Sequence, residues 1–131
     1  MLRTLSLCFA AGAVGAIASG IAAWAAGQLG ATRALGVALA PGVAAAFAAQ
    51  RLVRGGLWGL LFATPLARGG GLRRGLLLGL APGLADLFWV LPRAGDGWLG
   101  VERGALMPVV VLALHAVWGL ATAAWLRAVR G

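Results

Sequence analysis

The chain has 131 residues, of which 62% are hydrophobic and only 11% charged, and its mean hydropathy is +0.95. Soluble domains run nearer half apolar with about a quarter charged, so this composition lacks the polar surface to coat a water-soluble globule. The net charge of +8 comes wholly from arginine; because the arginines sit between apolar runs and form no basic face on a soluble domain, nucleic acid is not the indicated partner and the lipid bilayer is.

The first apolar run covers about residues 5–26 behind Arg3. Ala23-Trp24-Ala25 has the look of a signal-peptidase site, but the run is longer than a usual signal core. It also carries Gly12, Ala16 and Gly20 at four-residue spacing, a stripe that lets a second helix approach closely. An uncleaved membrane helix is the favoured reading. Cys8, the only cysteine, lies in this run; it excludes an intrachain disulfide and a multi-cysteine metal site, and reads as a small core residue.

Residues 35–66 are too long for one span and are broken by Pro41-Gly42, Arg51 and Arg54. Either 34–50 crosses the membrane and 57–66 lies at its surface, or 34–47 is a short interfacial or re-entrant piece and 49–66 crosses. Hydropathy leans to the first, because an arginine at mid-membrane costs about 2.5–3.5 kcal/mol. The second places both arginines near the outer end, where they can snorkel.

The third run, about 74–91, follows Arg73-Arg74 and contains Pro82, which a membrane helix tolerates when neighbours satisfy the freed carbonyl. A turn-rich loop over 92–105 holds Asp96 and Glu102. The last run, about 106–126, is long enough to cross a hydrocarbon core of roughly 30 Å and ends at Arg127 and Arg130. Four spans with the N-terminus inside put Arg3, Arg68, Arg73, Arg74, Arg127 and Arg130 on one side. Arg33, Arg93 and Arg103 fall on the other, with Asp96 and Glu102. The bias predicts both termini in the cytoplasm. Trp24, Trp58, Trp89, Trp98 and Trp125 suit interface anchors, while Trp118 falls within the last span. Leu57-Trp58-Gly59-Leu60 is echoed by Val117-Trp118-Gly119-Leu120, which a duplicated helix pair or chance would equally explain.

Several segments together resemble a group of small, functionally uncharacterised bacterial multipass membrane proteins. They are Arg51-Leu52-Val53, Gly55-Gly56-Leu57-Trp58-Gly59-Leu60-Leu61-Phe62 with Pro65, Arg74-Gly75-Leu76-Leu77-Leu78, Ala81-Pro82, Leu87-Phe88 and Leu91-Pro92. Gly97-Trp98-Leu99-Gly100, Pro108 and Ala116-Val117-Trp118-Gly119-Leu120 complete the set. The resemblance covers residues 50–126, with Leu35-Gly36-Val37-Ala38 before it, and rests on order and spacing as well as composition. It implies a bacterial inner-membrane location and makes 49–66 the second span. Arg54 departs from the apolar residue expected there, and the group offers no catalytic residues to carry over.

Glycine at four-residue spacing recurs at Gly55/Gly59 and at Gly75/Gly79/Gly83, again one helix face each. Packing inside the bundle is the simpler role; a face reserved for another copy or another membrane partner is the alternative. Arg51 and Arg54 share a face, and spans at 49–66 and 74–91 put Arg54 and Asp86 at the same depth, roughly 7–8 Å below the outer surface. Asp86 is the only acid inside an apolar run, and an unpaired carboxylate there is costly. Arg54 is therefore expected to pair with Asp86, with Gln50 and Arg51 nearby. His115 lies near the middle of the last span, more in keeping with a hydrogen-bonded core residue than a ligand. No cofactor, no metal site and no catalytic constellation is indicated.

The expectation is an all-α membrane bundle of four spans in a single domain. A structural or accessory role is favoured. A small-molecule or ion carrier or channel built on Gln50, Arg51, Arg54, Asp86 and His115 is the alternative, and a water-filled cavity reaching Asp86 would distinguish it from a dry ion-pair clamp.

Overall fold

The computed structural model describes residues 1–39, 44, 48–66 and 70–130, and those residues form helices joined by turns, without strands. Helix α1 runs Leu2–Gln28, α2 is a single turn over Ala31–Ala34, and α3 covers Ala49–Gly59. Helix α4 spans Gly71–Arg93 and α5 spans Met107–Arg130. Three of them, α1, α4 and α5, are long and apolar enough to cross a membrane. Each outruns the bounds expected from hydropathy, because the flanking Leu2, Gly71 and Arg127–Arg130 continue the backbone hydrogen bonding without being apolar runs themselves.

Helix α3 differs from the expected 49–66 span. Its α-helical part is continued by a 3-10 turn over Leu60–Ala63, and Thr64 is already extended, with φ −87° and ψ 160°. Pro65 explains the stop: a proline disfavours helical geometry in the residue before it. Thr64 Oγ1 donates to the Leu61 carbonyl at 2.6 Å and completes the end. The helical stretch rises roughly 25 Å, short of a hydrocarbon core of roughly 30 Å. Half of the segment expected to be interfacial or re-entrant, 34–47, including Pro41-Gly42, lies outside the described residues. Its first part is structured: Gly30 and Gly36 take left-handed φ of 76° and 71° and bracket α2, Thr32 Oγ1 donates to Leu39 O at 2.8 Å, and Ala38 N donates to Arg103 O at 2.8 Å.

Consecutive long elements run antiparallel. Cys8 and Gly12 of α1 meet Gly59 and Gly55 of α3 in that order, while Gly75, Gly79 and Gly83 of α4 meet Gly119, His115 and Leu112 of α5. Both seams are backbone-on-backbone. A Cβ on Gly12 would lie 2.7 Å from Gly59 Cα, and one on Gly79 would lie 2.6 Å from the His115 carbonyl oxygen. Residues 12, 55, 59, 75, 79 and 119 thus share one role: only glycine lets the helix axes come this close, and close approach is what supplies contact energy where lipid offers no hydrophobic drive. At Gly83 a Cβ would meet only the Leu112 and His115 side chains, at 3.2 Å or more. Ala16 and Gly20 are buried on the same side of α1.

The centre is tied by Trp118. Its indole Nε1 donates to Gly12 O at 3.0 Å, and its ring meets Phe62 edge-on at 6.1 Å. Around it lie Cys8, Ala11, Ala16, Leu78, Ala123 and Leu126. A second cluster of Val37, Leu87, Met107, Val110 and Val111 closes the other end. There the loop after α4 folds back, pinned by the Arg103–Asp96 ion pair at 2.9 Å.

Candidate functional site

Helix α4 is not regular throughout. Pro82 sits inside it, and over Asp86–Val90 the hydrogen bonding changes to the π pattern. Leu91 N–H reaches five residues back to the Asp86 carbonyl, and Pro92, which has no N–H, follows immediately. A π turn widens the helix by one residue and recurs where a side chain must be aimed. Asp86 is the first residue of this turn and still keeps the α-helical phase, its N–H reaching the Pro82 and Gly83 carbonyls.

Asp86 Oδ1 accepts a hydrogen bond from Arg54 Nη2 of α3 at 2.7 Å. Its other oxygen, Oδ2, lies 3.3 Å from His115 Nε2 of α5. Three helices therefore converge on one carboxylate. The remaining ring nitrogen of His115, Nδ1, contacts the Val111 carbonyl at 2.8 Å. A carbonyl oxygen only accepts, so this contact assigns the donor proton to Nδ1. Nε2 then faces Oδ2 across two lone pairs unless the pair holds a further proton. The Asp86–His115 contact is attractive only in the protonated dyad.

The three side chains face a cavity of about 480 Å³ between α1, α3, α4 and α5. Gln50 and Arg51 line the same cavity, as do Ser19, Trp58 and Trp118. Among the described residues Arg51 has no ion-pair or hydrogen-bonding partner. The side chains of Arg54, Asp86 and His115 are 53%, 23% and 20% exposed, so the ion pair is not sealed in the core. Arg103 also reaches the cavity, but its charge is met by Asp96. From α1 the cavity receives only Ala16, Ser19 and Ala23, so no titratable group faces His115 from that side.

The five polar residues singled out from the sequence, Gln50, Arg51, Arg54, Asp86 and His115, thus stand around one space. With the dyad protonated, Arg51, Arg54, Asp86 and His115 carry two net positive charges; without that proton they carry one. Such a space suits an anion: guanidinium groups supply planar, multi-donor hydrogen bonding for a carboxylate or similar oxyanion. Ser19, Trp58 and Trp118 were not attributed to the site from the sequence. Ser19 lies one turn from the Ala16 packing position, and its hydroxyl donates to the Ala16 carbonyl at 3.2 Å. Gly15 and Gly119 were likewise absent from the expected packing set, though Gly15 abuts Trp118 and Thr122, and Gly119 abuts Gly75.

Among the described residues no group of three or more His, Cys, Asp or Glu side chains is placed to hold a metal ion. No family model, no curated protein and no solved structure matches the chain.

Proposed function

We propose that the protein is a multipass protein of a bacterial inner membrane, built from three full spans and the shorter α3, with both termini cytoplasmic, and that it binds a small anionic solute in the cavity as a carrier or channel does. The observation that carries this reading is the cavity of about 480 Å³ bearing Arg51 and Arg54 against a single carboxylate, Asp86. Its volume falls within the roughly 300–1,000 Å³ of small-ligand sites. Intramembrane charges are costly and face cavities or partners, and irregular backbone such as the Pro82–Val90 region of α4 is tolerated at depth where it lines a cavity. The arginine bias toward the end bearing both termini supports the orientation, and the resemblance to small bacterial multipass proteins supports the location.

The test is thiol labelling in a Cys8→Ala background, with single cysteines at Ser19 and Val90, which line the cavity, and at Trp98 in the 92–105 loop, which is 67% exposed. The expected result is reaction at Ser19→Cys and Val90→Cys with charged water-borne reagents, faster with an anionic than with a cationic one. Unreactive cavity positions beside a freely reactive 92–105 loop would sink it.

A structural or accessory role is the second reading. The glycine seams of α1 with α3 and of α4 with α5 favour it, since they make a rigid, closely packed scaffold. In that case Arg54–Asp86 is a clamp between α3 and α4, and the labelling experiment finds it dry.

A further inference from the structure

At the other end of the molecule, where α1 begins and α5 ends, a second cavity of about 420 Å³ opens between α3, α4 and α5. Its walls carry Arg74, Arg127 and Arg130. Arg74 is held in place: its Nη2 donates to the Phe62 and Thr64 carbonyls, and its guanidinium lies 5.9 Å from the centre of the Phe62 ring. That leaves its Nε buried and without a partner among the described residues. Arg127 hangs over Gly71 at the start of α4, and Arg130 Nη2 reaches only Cys8 Sγ, at 3.4 Å.

The counter-charge for these groups is not in the chain's side chains. The protein has three acidic residues. Asp86 is committed to Arg54 and His115, Asp96 to Arg103, and Glu102 lies in the same loop as Asp96. All three belong to the opposite end. Among the described residues, three guanidinium groups stand around one concavity, one with a buried orphan donor and none paired with a carboxylate side chain, which suits the site to an anion. The geometry favours an oxyanion that accepts several N–H bonds at once, and a phosphate does so.

We propose that this cavity is a binding site for the headgroup phosphate of an anionic phospholipid in the leaflet that faces the termini. The inference uses the membrane location and does not depend on the anion cavity at the other end. Phe62 and Leu126 supply an apolar wall beside the arginines, as an acyl-chain neighbour requires, and basic pockets between helices on this side are suited to acidic headgroups.

The test titrates the purified full chain in a neutral detergent with phosphatidylglycerol, phosphatidylcholine or inorganic phosphate, and reads occupancy by native mass spectrometry. Phosphatidylglycerol is expected to bind in preference to phosphatidylcholine, with an affinity that falls as salt rises. The double variant Arg127→Gln/Arg130→Gln, altered at two exposed positions, is expected to bind it about 30-fold more weakly. Arg33→Gln, at the opposite end, is expected to bind as the parent does. Should the double variant not fold, Arg127→Gln alone and the salt dependence of the parent decide. Equal binding of the two lipids, salt-independent binding, or undiminished binding by the arginine variants overturns the proposal. Inorganic phosphate that displaces the lipid and binds as tightly overturns the lipid as the source and makes this a free-phosphate site. These outcomes leave the cysteine-labelling result untouched, so the two readings fail separately.

Discussion

His115 and Asp86 meet edge to edge across α5 and α4, with Nε2 3.3 Å from Oδ2, while Nδ1 of the same ring is committed to the Val111 carbonyl. The contact therefore depends on one proton, and so does the charge of the cavity that it faces. A monovalent anion meets two net positive charges when the proton is present and one when it is absent. In either state the guanidinium groups of Arg51 and Arg54 outweigh the one carboxylate, so an anion is expected to enter the cavity in preference to a neutral solute.

The check is iodide quenching of the cavity tryptophans, Trp58 and Trp118, in a background where Trp24, Trp89, Trp98 and Trp125 are phenylalanine. Quenching is expected to weaken in Arg51→Gln, which removes one of the two guanidinium groups that face the cavity. Acrylamide, which is neutral, should quench the parent and the variant alike. Iodide quenching in Arg51→Gln identical to the parent's would rule out the arginines as the source of anion preference.

The Arg54–Asp86 pair allows a double-mutant cycle. Asp86→Leu leaves Arg54 facing the cavity without its carboxylate, and Arg54→Leu leaves Asp86 with only His115. Replacing both removes the need for either partner. Arg54 is half exposed, so the coupling is expected to be modest, about 1 kcal/mol, with the double variant more stable than the sum of the singles implies. Denaturation in detergent micelles measures it; additive losses would mean that the pair contributes nothing.

The glycine seams make a sharper stability claim. Gly12→Ala would drive a methyl into the Gly55 carbonyl and to within 2.7 Å of Gly59 Cα, both backbone atoms that cannot turn aside. The expected loss is about 3 kcal/mol. Gly30→Ala meets nothing within 4 Å and only the strain of φ 76°, so its expected loss is about 1 kcal/mol. Thermal unfolding of the two variants in the same detergent compares them, and equal losses would refute the seam.

Trp118→Phe keeps the ring contact with Phe62 but deletes the donor that serves Gly12 O. A loss of about 1 kcal/mol is expected. A fluorescence spectrum that loses its most buried component on this change would confirm that Trp118 is the shielded indole.

The convergence of Arg54 on Asp86 was legible because each is anomalous in an apolar run and their depths can be counted from the span ends. What could not be counted was rotation. The phase of one helix against another is set by which small faces meet, and α1 is small on several sides, so Gly15 and Ser19 carry no more signal than their neighbours. The π turn that begins at Asp86 shifts the phase of the residues beyond it, whereas Asp86 itself keeps the phase of Gly75, Gly79 and Gly83, the face that meets α5. The second span illustrates a different limit: hydropathy runs smoothly from Leu57 to Leu66, and only the conformational effect of Pro65 on Thr64 ends the helix sooner. The echo between Trp58-Gly59 and Trp118-Gly119 has a counterpart in the packing, since Gly59 lies against Gly12 and Gly119 against Gly75.

The widened turn between Asp86 and Val90 has a consequence for sequence length. It accommodates one residue more than an unbroken α-helix would need between Pro82 and Pro92. Deleting a single residue there would restore the regular repeat and leave Leu91, Pro92 and Arg93 close to their present neighbours, whereas the same deletion elsewhere in α4 would turn everything beyond it by about 100° around the axis. Related chains with the same packing on both sides of this stretch should tolerate a one-residue gap here and nowhere else in the helix.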